Sequence, residues 1–540
     1  MPRRRVLIIA VLALSQLLAM LDMSIVNTAI PAIAREFQAS SSTLQWLVGG
    51  FALLFAGLLL LAGALGDRYG RRRILAVGLV IFAVTSVGAS FATTAEALIA
   101  FRAGQGVGAA FVVPQTLSIL TAVFPREERG RALGIWSGAL GLGTAGGPLL
   151  GGVLVDQIGW EAVFWVPAPV ALLALLGLRF VPESRSEGEG GLDLPGAVLG
   201  TLGISALVYG VIEGNNSGWG SGEIVAAFAL AATALLLFLA VERRAAAPMV
   251  PLHFFRQRDF DGGVAVLFLM FFALLGVMFF LSQFFQLVQG KSAFTAGLYM
   301  LPLATAMMVT APLAGRMIAV VGPKRLVLLS MALSVGVLVF FTRMDVDSAY
   351  WPIGIALFVF GMSGGLVMPT VTDTIMASVP IRQAGRASGV STTGRQVGGA
   401  MGIAILGAIA ASTYAGGVSS ALTGSLPPDL VAQIRDGIGA AAVIAQAAEP
   451  EVAAAIEAAV FPAFVDAIHV VFWIGAAFMA LAGVATVFLI PSRVRATQMG
   501  AETEISAAVV SAATVHRAAA IGLMRAHPQK VTAPAAAAGD

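Results

Sequence analysis

Fourteen apolar runs set the terms for this chain, at residues 6–30, 44–65, 74–92, 96–123, 131–155, 160–181, 194–213, 223–241, 262–288, 294–320, 325–342, 350–377, 387–413 and 465–491. Most approach or exceed the roughly 20 residues with which an α-helix crosses a bilayer. Charged or Gly/Pro-rich breaks separate them. The expected fold class is therefore all-α, a polytopic membrane protein with 14 transmembrane helices. Composition agrees, since 58% of the 540 residues are hydrophobic and 11% charged, against about 25% charged in soluble domains. Arg3-Arg4-Arg5 and the run after them imitate a secretory leader. A leader core is only about 7–15 residues long, whereas this run is longer and carries Asp22, Asn27 and Pro31, so it reads as the first span. With no cysteine, disulfide, thiolate-metal and thiol redox chemistry are excluded. His253, His469, His516 and His527 lack ligand spacing, so no metal site and no cofactor is expected. The net charge of +3 gives no reason to expect nucleic acid as a partner.

Between the second and third runs lies Gly63-Ala64-Leu65-Gly66-Asp67-Arg68-Tyr69-Gly70-Arg71-Arg72-Arg73, a short charged hinge. A paler copy, from Gly315 and Arg316 to Gly322-Pro323-Lys324-Arg325, keeps the glycine spacing of seven and the trailing basic pair. Gly130-Arg131-Ala132-Leu133-Gly134 recurs as Gly385-Arg386-Ala387-Ser388-Gly389. The offsets are 252 and 255, so one half of the chain duplicates the other. The echoes parse the spans as six, two and six. The expected domains are a six-helix bundle over 1–185, inserted helices 7 and 8 over 186–258, and a second six-helix bundle over 259–495. The second bundle includes an Ala-rich outer loop, 414–464, expected as a solvated cap with short surface helices. A disordered cytoplasmic tail is expected over 496–540.

With both termini inside, the arm and inner loops hold twenty-one Lys and Arg, and the outer loops hold only Arg35, Lys291, Arg343 and Arg435. This positive-inside asymmetry places both termini in the cytoplasm, in a multi-pass protein of the cell membrane.

Charges inside apolar spans are costly and so informative. Asp22 sits in mid-span 1, close to Asn27; a carboxyl group out of water suits proton uptake and release. Arg102 on span 4 is the obvious cation, one that can only switch partners because arginine does not deprotonate. Span 5 carries Gly143, Gly147, Pro148, Gly151 and Gly152, small residues that let helix backbones touch, with a proline that removes one helical hydrogen bond. Its repeat mate on span 13 lacks the proline and carries Arg395 in mid-helix, a few turns after Arg386. Glu213 and Asp373 fall near span ends and read as solvated lip residues.

Taken together, the hinge with Gly63, Asp67, Arg68, Gly70, Arg71 and Arg72, the segment Arg102 to Gly108, and Gly143-x-x-x-Gly147-Pro148-x-x-Gly151-Gly152 resemble the major facilitator superfamily over residues 1–495. Within it they resemble the fourteen-span drug/proton antiporters. The resemblance implies a monomer that exports drugs or other small amphipathic compounds in exchange for protons by alternating access, with the small-molecule substrate, protons and the lipid bilayer as its partners. It also implies proton coupling through Arg102, and bending or sealing at span 5. Phe51 stands where the family usually has a tyrosine, and Glu161 and Pro167 stand where it has Arg and Asn, departures that bear on breadth of substrate. The alternative is an exporter dedicated to one natural product. A membrane-embedded enzyme or sensor is the remote alternative, but no nucleophile with a base, paired carboxylates or output domain is visible. In a duplicated transporter of this kind, the inner end of span 2 meets the inner start of span 13. Asp67 is placed to accept from the free backbone donors at 385–387 and to latch the cytoplasmic side in the outward-facing state. Its repeat position is Ala319, so only one such latch is expected.

Overall fold

The computed structural model describes residues 3–490, apart from 38–40, 186–192, 246–247, 249, 381–382, 423–425 and 436. The tail expected to be disordered lies outside these residues. Among the described residues seventeen α-helices follow one another: α1 (Arg3–Phe37), α2 (Ser41–Tyr69), α3 (Arg71–Ser90), α4 (Ala95–Val123), α5 (Arg126–Gln157), α6 (Ala162–Trp165), α7 (Pro167–Gly177), α8 (Leu194–Ser217), α9 (Gly222–Glu242), α10 (Arg258–Gln283), α11 (Ala293–Val321), α12 (Pro323–Phe341), α13 (Tyr350–Ala377), α14 (Ala384–Leu422), α15 (Pro428–Arg435), α16 (Ile438–Ala447) and α17 (Pro450–Leu489). Among the described residues thirteen segments are long and apolar enough to cross a membrane, α6 and α7 counting as one, and α8 adds the shorter apolar stretch Pro195–Val211. Pro167 at the start of α7 explains the break from α6, because proline cannot donate the hydrogen bond that would continue the helix.

The duplication is visible as pairwise packing. In the first half α1 packs on α5 and α7, α4 on α2 and α3, and α3 on α7; in the second α10 packs on α14 and α17, α13 on α11 and α12, and α12 on α17. Both hinges turn on a glycine at the predicted position: Gly70 has φ 107° and Gly322 has φ 84°, a left-handed region in which a Cβ is strained. The halves meet where α5 runs along α11 and α2 crosses α14. Helix α8 lies against α2, α14 and α9.

Segment 414–464 holds the short helices expected there, α15 and α16, and departs from expectation in how far the flanking helices run. Helices α14 and α17 continue well past the expected span ends, and α15 and α16 bridge them. Tyr414, Val418, Leu422, Ile434, Ile456 and Val460 are buried there, and Tyr414 donates its hydroxyl to the Ile434 carbonyl at 3.1 Å. The apolar residues that suggested surface helices form a packed cap with its own buried face, because continuing two helices leaves apolar rows that only a partner can cover.

Candidate functional site

Among the buried polar groups of the described residues, two charged clusters and the separately placed Arg395 hold the candidate residues. In the first cluster Arg102 and Gln105 lie three residues apart on α4 and therefore share a face. Arg102 Nη1 donates to Asp22 Oδ2 at 2.5 Å and to Gln105 Oε1 at 2.8 Å, while its Nε donates to the Leu47 carbonyl at 3.2 Å. Gln105 Nε2 donates to Asp22 Oδ1 at 2.9 Å and to Ser86 Oγ at 2.7 Å. Both oxygens of Asp22 are thus engaged. The ring of Phe51 lies 4.6 Å from the Arg102 guanidinium carbon, so the aromatic ring that departs from the family pattern lies against the cation. Asp22 and Gln105 are fully buried and Arg102 is 1% exposed. Asn27, one and a half turns on, is exposed and outside this cluster.

The small residues of α5 hold α1 in place beside that cluster. A Cβ on Gly143 would sit 2.8 Å from the Leu17 carbonyl oxygen, and one on Gly147 would sit 2.8 Å from Ile25 N. One on Gly151 would fall 3.0 Å from the Ile25 carbonyl oxygen. Ser24 Oγ donates to the Gly143 carbonyl at 3.0 Å. Gly152 faces away from α1 toward Phe294 of α11. Pro148 lies in α5, and its side chain is outside the described residues.

The second cluster joins the halves at the hinge end. Asp67 Oδ1 accepts the Gly385 N–H at 3.0 Å and Oδ2 accepts the Arg386 N–H at 3.0 Å. The spacing allows this because α14 begins at Ala384, and the first N–H groups of a helix have no partner within it. Arg71 Nε and Nη2 donate to the same Oδ1 at 3.0 and 2.8 Å. Ser388 Oγ donates to the Pro114 carbonyl at 3.0 Å, a second link from α14 to the first half. Backbones nearly touch at two pseudo-equivalent places: a Cβ on Gly63 would lie 2.5 Å from the Gly385 oxygen, and one on Gly130 would lie 2.7 Å from Gly315 Cα. Arg68 is exposed and stacks on Tyr69. Arg72 uses its N–H on Glu183 Oε1 at 3.0 Å and Nη1 on the Val181 carbonyl at 3.2 Å, tying the hinge to the end of the sixth span.

Arg395 stands apart from both clusters. It is 4% exposed, and among the described residues no carboxylate is paired with it. Nη2 donates to Thr392 Oγ1 at 3.2 Å and Nη1 approaches Met368 Sδ at 3.9 Å. Its guanidinium carbon lies 5.7 Å from the Trp136 ring and 5.6 Å from Phe271. Trp136 Nε1 donates to Thr116 Oγ1 at 3.0 Å. Glu213, expected at a solvated lip, is only 7% exposed, and Trp219, after the Gly218 turn, folds back on Gly214 at the end of α8. Asp373 is half-buried in α13. Gln105, Ser86, Glu183 and Trp136 were not singled out from the sequence. A glutamine three residues from Arg102 within an apolar helix was a usable signal; the other three carried none.

Comparison with known proteins follows from this geometry. The sequence profile described as Major Facilitator Superfamily matches residues 12–403. The tetracenomycin C resistance and export protein of Streptomyces glaucescens is 36% identical over 402 residues, covering 74% of this chain and 75% of that relative. The multidrug efflux pump LfrA of Mycolicibacterium smegmatis is 37% identical over 451 residues, covering 82% and 88%. Among solved structures, the human organic anion transporter MFSD10 superposes with a TM-score of 0.59 at 16% identity, covering 90% of this chain and 100% of that one. The proton:xylose symporter XylE follows with a TM-score of 0.57 at 16% identity, covering 90% and 95%. At that identity these two share the fold.

Proposed function

The chain belongs to the major facilitator superfamily, and from that premise we propose that it is a proton-coupled antiporter exporting drugs or other small amphipathic compounds by alternating access. The observation that carries this reading is the buried Asp22–Arg102–Gln105 cluster. A carboxylate held by an arginine inside an apolar bundle is expensive to build, and protonation of Asp22 is the event that would release Arg102 to its other acceptors, Gln105 and the Leu47 carbonyl. Cargo binding from one side and proton binding from the other then favour opposite openings of the two halves.

In this reading the bundles are 1–185 and 259–495, with 186–258 inserted, and the protein works as a monomer in the cell membrane. Both termini and the hinge end face the cytoplasm, so the Asp67 contact closes the cytoplasmic side. Export of a single natural product is the second reading, favoured by the similarity to a tetracenomycin C resistance and export protein. Expression in an efflux-deficient bacterium, with resistance scored over chemically unrelated compounds, separates the two: broad resistance indicates drug efflux and narrow resistance a dedicated exporter. Efflux that persists after the proton gradient is collapsed would overturn proton coupling.

A further inference from the structure

The two intramembrane arginines differ in kind. Arg102 is held by a carboxylate, an amide oxygen and a carbonyl. Arg395 has a hydroxyl, a thioether sulfur at 3.9 Å and two aromatic rings, and its Nε has no hydrogen-bond partner among the described residues. A guanidinium out of water seeks planar, bidentate anionic oxygen acceptors, and Arg395 has none. Nearby, Gln16 is fully buried and its Nε2 donor is also unpartnered; its Oε1 reaches Thr116, which accepts from Trp136. The cluster therefore leaves two buried donors, Arg395 Nε and Gln16 Nε2, unpartnered among the described residues, beside the Trp136 and Phe271 rings.

Its position matters as much as its chemistry. Trp136 belongs to α5 of the first half, whereas Arg395, Phe271 and Met368 belong to α14, α10 and α13 of the second. The contact of Arg395 with Trp136 thus spans the interface that alternating access must open. Ring-face and thioether contacts are weak and exchangeable, so a ligand can replace them. At the repeat offset of 255 the first half carries Leu140, so the feature belongs to one half alone.

We propose that Arg395 is a substrate-binding residue and that the exported compounds include planar aromatic molecules bearing an anionic oxygen group, a carboxylate or phenolate. The anion pairs with the Arg395 guanidinium while the ring stacks against Trp136 and Phe271. The proposal rests on the export reading and narrows its substrate class.

The test measures binding to the purified full-length chain in nanodiscs, with no proton gradient, using 2-naphthoate and the isosteric neutral 2-naphthamide. The wild type should bind the acid about tenfold or more tightly than the amide, as a charge-assisted pair implies. Arg395→Gln should abolish that preference and Arg395→Lys should restore part of it. Equal binding of the two probes by the wild type, no binding of either, or a preference that survives in Arg395→Gln overturns the proposal. Transport of other compounds by the wild type is scored separately, so a failed preference leaves the export reading standing, and absent transport leaves the preference measurable.

Discussion

The carboxylate of Asp67, at the end of α2, accepts the N–H groups of Gly385 and Arg386 at 3.0 Å each, so a side chain of one half caps the first turn of a helix in the other. Residues 318 and 319 positions apart in sequence are joined. Arg71 secures the same carboxylate from within its own half, orienting it so that Oδ2 accepts from Arg386. A helix-end contact of this type contributes about 0.3–1 kcal/mol in water, and up to about 2 kcal/mol when partly buried. That magnitude biases an equilibrium without freezing it.

Asp67→Asn should therefore shift the population toward the state open at the hinge end. The chain has no cysteine, so Ala387→Cys, at a position with no exposure, supplies a clean reporter. Its maleimide labelling rate in the Asn variant should rise several-fold, up to the roughly 30-fold that 2 kcal/mol allows. An unchanged rate would show that Asp67 does not latch the halves.

Gly63 and Gly130 should tolerate no side chain in the closed state. A Cβ on either would come within 2.7 Å of backbone atoms of the other half, closer than such contacts can relax. Gly63→Ala and Gly130→Ala should raise the same labelling rate, and Gly364→Ala, whose Cβ meets nothing within 4 Å, should not. Equal behaviour of all three would mean that the glycine pairs do not govern closure.

The legibility of this molecule divides along physical lines. The apolar runs and the hinge glycines were readable because bilayer length and a positive φ each impose a local requirement, met at Gly70 and Gly322. The Asp67 cap was readable because the resemblance to duplicated transporters implies which helix starts meet which ends. Burial of Glu213 was not, since it depends on how the end of α8 packs against its neighbours. Asn27 looked equivalent to Asp22 as a polar residue in an apolar run, yet helix phase puts the two on different faces. The short helices of the 414–464 segment were legible, whereas the continuation of α14 and α17 into it was not, because an Ala-rich stretch has neither the length signal of a span nor the polarity of a loop.

That cap should resist proteolysis as folded protein. Tyr414→Phe removes the hydroxyl that bonds the Ile434 carbonyl and leaves a buried acceptor with one partner fewer, at a cost of about 1–2 kcal/mol. Limited proteolysis of the purified protein should then cut faster near 423–436 in the variant than in the wild type. Rapid cutting of the wild type throughout 414–464 would show that the cap is not packed.

Asp22→Asn isolates the charge of the first cluster. The amide retains the shape of the side chain and one oxygen acceptor, so Arg102 keeps a hydrogen bond while losing its counter-charge. Removing one member of a buried pair typically costs about 3–5 kcal/mol, offset here because Gln105 Oε1, the Leu47 carbonyl and the Phe51 ring remain on the guanidinium. The variant should therefore insert and fold with reduced stability. What it cannot do is exchange a proton. In proteoliposomes, wild-type export should accelerate when a proton gradient is imposed, and Asp22→Asn should show the same rate with and without it, with downhill movement of cargo retained. Gln105→Leu should give an intermediate response, since it removes the Asp22 Oδ1 and Ser86 contacts but leaves the titratable group. An Asp22→Asn protein that responds to the gradient as the wild type does would remove this carboxylate from coupling and place the proton site elsewhere.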